Sequence, residues 1–193
     1  MKPKIIFLSG VPASGKTTLA RNLAKKLKID KIIDLDCLKL TSQLFVSKSE
    51  SPYLYTTTHE AKNVENLTQI EGFNKYCNVV QDVLVKLLDK MKNEKYIIVE
   101  GAQLTPFVLD KIDKSLFDSI YFNITLKNEK KLISHLNKKM KIRKGKWLEN
   151  LSIILENLKY LNTLPNQIFV ENNNLFLTTK KILKILRKNN FMK

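Results

Sequence analysis

Residues 10–17 read Gly10-Val11-Pro12-Ala13-Ser14-Gly15-Lys16-Thr17. The two glycines followed by Lys-Thr fill every fixed position of a phosphate-binding loop. The flanks agree with that reading. Lys4-Ile5-Ile6-Phe7-Leu8-Ser9 before the loop is a short apolar strand, and residues 19, 20, 23, 24 and 27 after it are apolar at helical spacing. Glycines let the backbone wrap a phosphate with its N–H groups pointing inward, and the following helix adds its partial positive charge. Gly10, Pro12, Ala13, Ser14, Gly15, Lys16, Thr17 and Thr18 are therefore the expected nucleotide-binding residues. Lys16 reaches the β- and γ-phosphates, and the Thr17 hydroxyl is placed to ligate Mg²⁺. An ordinary glycine turn leaves Lys16-Thr17 at the start of a helix unexplained. ATP with Mg²⁺ is the cofactor pair that this loop implies.

Outward from the loop, the chain alternates strand and helix. The reading places strands at 4–8, 31–36, 96–100, 119–124 and 167–171. Helices are expected at 16–28, 37–47, 60–92, 147–161 and 178–188, the last capped by Thr178 or Thr179, with a short one after Pro106. Gly72 marks a bend or break in the long helix. Short apolar strands alternating with helices imply an α/β fold: a three-layer sandwich with a five-stranded parallel sheet and helices on both faces. The 193 residues are expected to form one domain, 1–193, with a lid at about 128–146. No apolar run approaches the length of a membrane span, and the N-terminal apolar stretch runs into the loop rather than into a cleavage site. A cytoplasmic protein with no membrane partner is the expectation. Cys37 and Cys77, in no metal or redox spacing, are expected to be free and buried. His59 and His135 are lone histidines, so no zinc site is expected.

The net charge is +16, and two segments carry most of it. Residues 127–146 hold eight Lys, one Arg and one Glu, and residues 180–193 hold five Lys and one Arg. One reading is a surface for an anionic substrate or nucleic acid. The other is compositional, since the chain has 31 Lys, 18 Asn and only 3 Arg. The compositional reading suits most positions. The segment 127–146 is different, because a mobile lid in this kind of fold lies between strands four and five. There Arg143 is the candidate phosphate ligand, since its planar fork suits phosphate oxygens, with Lys139, Lys141 and Lys144 as weaker candidates. Trp147, Leu151 and Leu155 read as core.

In a parallel sheet, ligands sit beyond the carboxyl ends of the strands. Asp36 and Glu100 fall there, with Asp34 structural by default and Gly101 permitting a close approach. Transfer of a γ-phosphoryl group to an alcohol needs positioning, charge neutralisation and an acceptor for the proton. Asp36 is expected to be the base or substrate-orienting carboxylate. Glu100 is expected to support the metal beside Thr17 or to serve as the alternative base. Lys16, Asp36, Glu100 and Arg143 make up the expected catalytic set, and Thr17 and Glu100 the metal set.

Several segments resemble the archaeal 2-phosphoglycerate kinase family of P-loop kinases. They are residues 33–39 with Asp36 and Lys39, residues 52–61, residues 70–73 and residues 97–106 with Glu100-Gly101-Ala102-Gln103. Residues 147–173 resemble that family's final helix and strand. Thr57, Thr58 and His59 stand where the family has Ser-Ser-Tyr, and Gln103 stands where it has His. Ile154-Leu155 replaces an Ile-Arg pair. The resemblance implies a P-loop kinase-type fold and transfer from ATP to a small phosphorylated metabolite, 2-phosphoglycerate giving 2,3-bisphosphoglycerate. Asp36, Lys39, Thr57, Thr58, His59, Gly101 and Gln103 would contact that substrate. A nucleoside or polynucleotide 5′-hydroxyl kinase is the second reading, with nucleic acid as partner. A non-catalytic ATP- or RNA-binding protein is the third. Neither the oligomeric state nor a preference for ATP over GTP is legible.

Overall fold

The computed structural model describes residues 2–142 and 147–192. Five strands, β1 (Lys4–Ser9), β2 (Lys31–Asp34), β3 (Tyr96–Glu100), β4 (Asp118–Thr125) and β5 (Ile168–Glu171), pair in parallel in the order β2-β3-β1-β4-β5. Alternate residues of β1 enter different cores. Ile5 and Phe7 join the cluster on one face, and Ile6 and Leu8 join the cluster on the other. Both faces are thus covered, which is why the strands read as apolar runs rather than as alternating ones.

Helices α1 (Lys16–Leu27) and α7 (Leu175–Lys188) cover one face. The other face carries α2 (Leu35–Ser42), α3 (Gln69–Lys90), α4 (Val108–Lys111), α5 (Glu129–Ile142) and α6 (Leu151–Thr163). β1 lies between β3 and β4, so the chain switches direction at its carboxyl end. That is the crevice where parallel sheets bind ligands, and residues 10–15 occupy it.

The structure moves several boundaries. β2 ends at Asp34 rather than Asp36, because the Asp34 carboxylate accepts the N–H groups of Asp36 (2.8 Å) and Cys37 (3.3 Å) and caps α2. α2 therefore covers Leu35–Ser42 instead of 37–47, and Asp36 sits in its first turn. The expected helix over 60–92 begins at Gln69, where Thr68 and Glu71 form a capping box, and residues 61–64 make a separate 3₁₀ turn. α6 begins at Leu151 rather than 147, because residues 147–150 form a turn closed from Leu151 N–H to Leu148 O. α7 begins at Leu175, with Asn174 as its cap. Thr178 and Thr179 are buried within it, and the Thr179 hydroxyl donates to Leu175 O at 2.6 Å. Cys77 is buried as expected, but Cys37, on the outer side of α2, is exposed.

Gly72 does not bend α3. It lets another backbone in, since a Cβ there would lie 2.4 Å from Lys62 Cα and N. Alanine is the better helix former by about 1 kcal/mol, but overpacking against backbone costs about 1–3 kcal/mol. Gly72→Ala is expected to lower the urea midpoint, and an unchanged or higher midpoint would mean that residues 61–64 yield freely. No helix among the described residues is long and apolar enough to cross a membrane.

Candidate functional site

A cleft of about 830 Å³ opens over the carboxyl ends of β1, β2 and β3. The 10–17 loop forms one wall. Gly10 (φ 139°) and Gly15 (φ 91°) take left-handed conformations that suit glycine. At Gly10 there is also no room for a side chain, because a Cβ would lie 2.3 Å from Ile124 O. Gly10 and Ser14 shape the loop from behind and do not line the cleft. Pro12, Ala13, Gly15, Lys16, Thr17 and Thr18 do line it. The Lys16 ammonium is buried inside the loop and donates to Val11 O at 2.9 Å. Burial lowers its pKa to about 8, against the pull of Glu100 in the other direction.

Glu100 ends β3, paired in register with Leu8 of β1 and Asp34 of β2. It is 3% exposed. Burial raises its pKa, while Lys16 and a hydrogen bond from the Thr17 hydroxyl act to lower it. A hydroxyl and a carboxylate side by side, with their charge poorly solvated, form the hard oxygen donor set that Mg²⁺ takes. These two oxygens match the hard-donor preference of that ion, and among the described residues no three His, Cys, Asp or Glu side chains gather as a metal site.

The opposite wall comes from α2 and from the segment after β3. One Asp36 carboxylate oxygen accepts from Gln103 Nε2 at 2.5 Å, and the same amide nitrogen lies 3.1 Å from the Tyr76 hydroxyl. The backbone at Gln103 and Leu104 is itself held by three side chains. Gln81 of α3 donates to Gln103 O at 2.8 Å, and the Ser9 and Tyr121 hydroxyls both donate to Leu104 O. The glycine at 101 admits protein rather than ligand, since a Cβ there would lie 2.7 Å from Leu35 Cβ. Lys39 donates to Thr56 O at 3.1 Å, and burial lowers its pKa against the field of Asp36.

The loop bearing Thr57, Thr58 and His59 closes this side. Gln69 of α3 donates to Thr58 O at 3.0 Å and to Asn157 of α6 at 3.2 Å, which pins the loop between two helices. The His59 imidazole has its pKa lowered by burial and stays neutral at neutral pH.

The structure therefore brings Lys16, Thr17, Asp36, Glu100, Lys39, Thr57, Thr58, His59, Gly101 and Gln103 to one cleft. Lys139 of α5 joins them, with its Nζ 4.6 Å from the Trp147 ring centroid. Trp147 packs against the core as expected, yet also lines the cleft. Lys141 does not line it. Arg143 and Lys144 lie outside the described residues.

Other lining residues have no motif to reveal them. Arg21 and Leu175 flank the nucleotide end. Asn172 donates to Ser14 O at 2.9 Å, and His135 lies 3.1 Å from Ala13 O. Both brace the loop from distant segments. Asp34, read as structural, is structural as a cap and also faces the cleft.

The protein family described as AAA domain matches residues 6–154. A 2-phosphoglycerate kinase from Methanococcus maripaludis (strain C7) is 25% identical over 94% of this chain and 64% of its own length. One from Methanocaldococcus jannaschii is 27% identical over 66% of this chain and 43% of its own. The chain spans less than two thirds of the length of these relatives. Among solved structures, a sugar kinase from Janibacter sp. HTCC2649 superposes with a TM-score of 0.61. It is 15% identical and covers 96% of this chain and 95% of its own. The fold is that of the P-loop kinases.

Proposed function

The chain belongs to the AAA domain family, and from that premise we propose that it is an ATP-dependent kinase acting on a hydroxyl of a small acidic metabolite. The observation that carries this reading is the two-walled cleft. A complete phosphate-binding loop faces a fixed carboxylate, Asp36, with Lys39, Thr57, Thr58 and His59 beside it.

In this reading, ATP lies with its phosphates in the 10–17 loop. The Thr17 hydroxyl, with Glu100 behind it, would hold Mg²⁺, which would supply neutralisation of phosphate charge. Asp36 accepts the proton as the acceptor oxygen attacks the γ-phosphorus, and the bond to the β-phosphate bridging oxygen breaks to give ADP. Lys16 stabilises charge on the transferring group. Lys39 and the hydroxyls of Thr57 and Thr58 bind an anionic acceptor. α5, whose Leu132 and Leu136 are buried in the core, sets Lys138 and Lys139 at the cleft, and Arg143, outside the described residues, stays the candidate phosphate ligand of the expected lid at 128–146. We read the chain as one cytoplasmic domain.

The names of the relatives suggest 2-phosphoglycerate as acceptor, giving 2,3-bisphosphoglycerate. ADP release with Mg-ATP is the test, with 2-phosphoglycerate, 3-phosphoglycerate, nucleosides and a 5′-hydroxyl RNA oligomer as acceptors. Turnover with 2-phosphoglycerate is the expected result. Turnover confined to RNA or nucleosides would support the second reading, a nucleoside or polynucleotide 5′-hydroxyl kinase. That reading is favoured only by the +16 charge. ATP binding with no turnover on any acceptor would overturn the kinase assignment.

A further inference from the structure

The two faces of the sheet differ in charge. On the many-helix face, acids and bases balance within most helices. α3 has Glu71, Asp82 and Asp89 against Lys75, Lys86 and Lys90, and α6 has Glu156 against Lys159. α2 and α4 each have one acid and one lysine. α5 is the basic exception, and it borders the cleft.

The α1–α7 face has no such balance. Neither helix contains an acidic residue. α1 exposes Arg21, Lys25 and Lys26. α7 exposes Lys180, Lys181, Lys184, Arg187 and Lys188. The two helices lie against the same face and are joined at Asn22 and Thr179, whose side chains hydrogen-bond at 2.8 Å, so the two basic helices pack side by side. The nearest acids in sequence, Asp30 and Glu171, lie outside both helices. None of the ion pairs between described residues involves this surface.

Both faces carry lysine, as compositional drift would give, but every acid on these helices lies on the many-helix face, which drift toward lysine does not explain. Of the chain's 3 arginines, Arg187 projects from α7, and Arg21, which also lines the cleft, projects from α1. Arginine is the better phosphate ligand.

We propose that the α1–α7 face binds single-stranded nucleic acid, at a surface separate from the substrate side of the cleft. α7 is about 20 Å long, enough to follow several phosphates. At its cleft end Phe176 is 55% exposed, with the Lys180 ammonium 4.4 Å from its ring centroid. An exposed ring beside a run of cations is the arrangement on which bases stack while the backbone is neutralised. A membrane fits less well. The large apolar side chains that project from these two helices are confined to Leu175, Phe176 and Leu177 in the first turn of α7, and the remaining length offers only charge.

The proposal stands independently of the kinase reading, because it concerns a different surface. Its test is fluorescence anisotropy of a labelled, unstructured RNA of roughly 20 nucleotides, titrated at salt concentrations from about 50 to 200 mM. Three proteins are compared: the wild type, Lys181→Glu/Lys184→Glu/Lys188→Glu, and a control with the same charge change on the other face, Lys86→Glu/Lys90→Glu/Lys159→Glu. The wild type is expected to bind with a steep salt dependence. The α7 triple variant should bind at least about tenfold more weakly, with a log–log salt slope smaller by about 2, while its ATP affinity is unchanged. The control should stay within about threefold of wild type. Equal losses in both variants, or no binding by the wild type at the lowest salt, would overturn the proposal. Binding to phosphatidylserine vesicles but not to RNA would overturn it as well and make the face a membrane surface.

Discussion

Lys16→Met is expected to make the protein more stable while lowering turnover sharply. The ammonium of Lys16 is buried among loop atoms, and burial holds its pKa at about 8, below the ordinary 10.5. Below pH 8 both the folded and the unfolded chain carry the charge, and the folded chain bears its desolvation cost. Between pH 8 and 10.5 the folded chain has released the proton while the unfolded chain still holds it, so stability rises with pH through that window. Above 10.5 both forms are neutral and the effect is gone. Methionine fills similar space without the charge. Allowing for the lost hydrogen bond to Val11 O, the net gain at pH 7 is about 2 kcal/mol. Urea unfolding at pH 7 and pH 10 checks this: the variant's advantage should be large at the first and nearly absent at the second. The same change removes a cation from the transferring phosphate, so kcat should fall by about 10²–10³. A variant less stable than wild type at pH 7 would show that Glu100 and the loop carbonyl compensate the buried charge in full.

Asp36→Asn is expected to lower kcat by about 10²–10⁴ with little change in ATP affinity. Asparagine is nearly isosteric, and its carbonyl oxygen still accepts from Gln103 Nε2, so the side chain keeps its place and loses only its basicity. Because Asp36 stands on the wall opposite the phosphate-binding loop, nucleotide binding should be spared. Glu100→Gln should behave differently. It weakens the support behind Thr17, so its defect should be partly relieved by excess Mg²⁺. Near-normal kcat in Asp36→Asn would remove Asp36 from the proton-transfer step, and an Asp36→Asn defect relieved by Mg²⁺ would exchange the two roles.

Much of this arrangement is legible in the sequence because it is local. The loop, its strand and its helix are contiguous, and the runs at 4–9, 96–100 and 119–124 identify buried strands without tertiary information. The errors occurred where a polar side chain reorganised nearby backbone. Asp34 caps α2 and so ends β2 two residues early, and Asn174 starts α7 three residues before the threonines that resemble caps. The capping box at Thr68 and Glu71 is a sequence signal, obscured by apolar spacing that runs on through the 3₁₀ turn before it. The braces of the site had no local signal at all. Asn172 lies 158 residues from the carbonyl it meets, and His135 lies 122 from its own, so only the fold makes them neighbours of the loop. The charge asymmetry is of the same kind. The basic C-terminal segment was visible in composition, but that it would share a face with the acid-free α1 was not.

A kinase of this kind sends the γ-phosphoryl group to a bound hydroxyl and not to water. The most direct measurement is the fate of the label from γ-³²P-ATP, incubated with Mg²⁺, the protein and 2-phosphoglycerate. Label is expected in a bisphosphorylated product, in step with ADP formation and slower by about 10² or more for Asp36→Asn. Label appearing only as inorganic phosphate, at a rate indifferent to the acceptor, would contradict it.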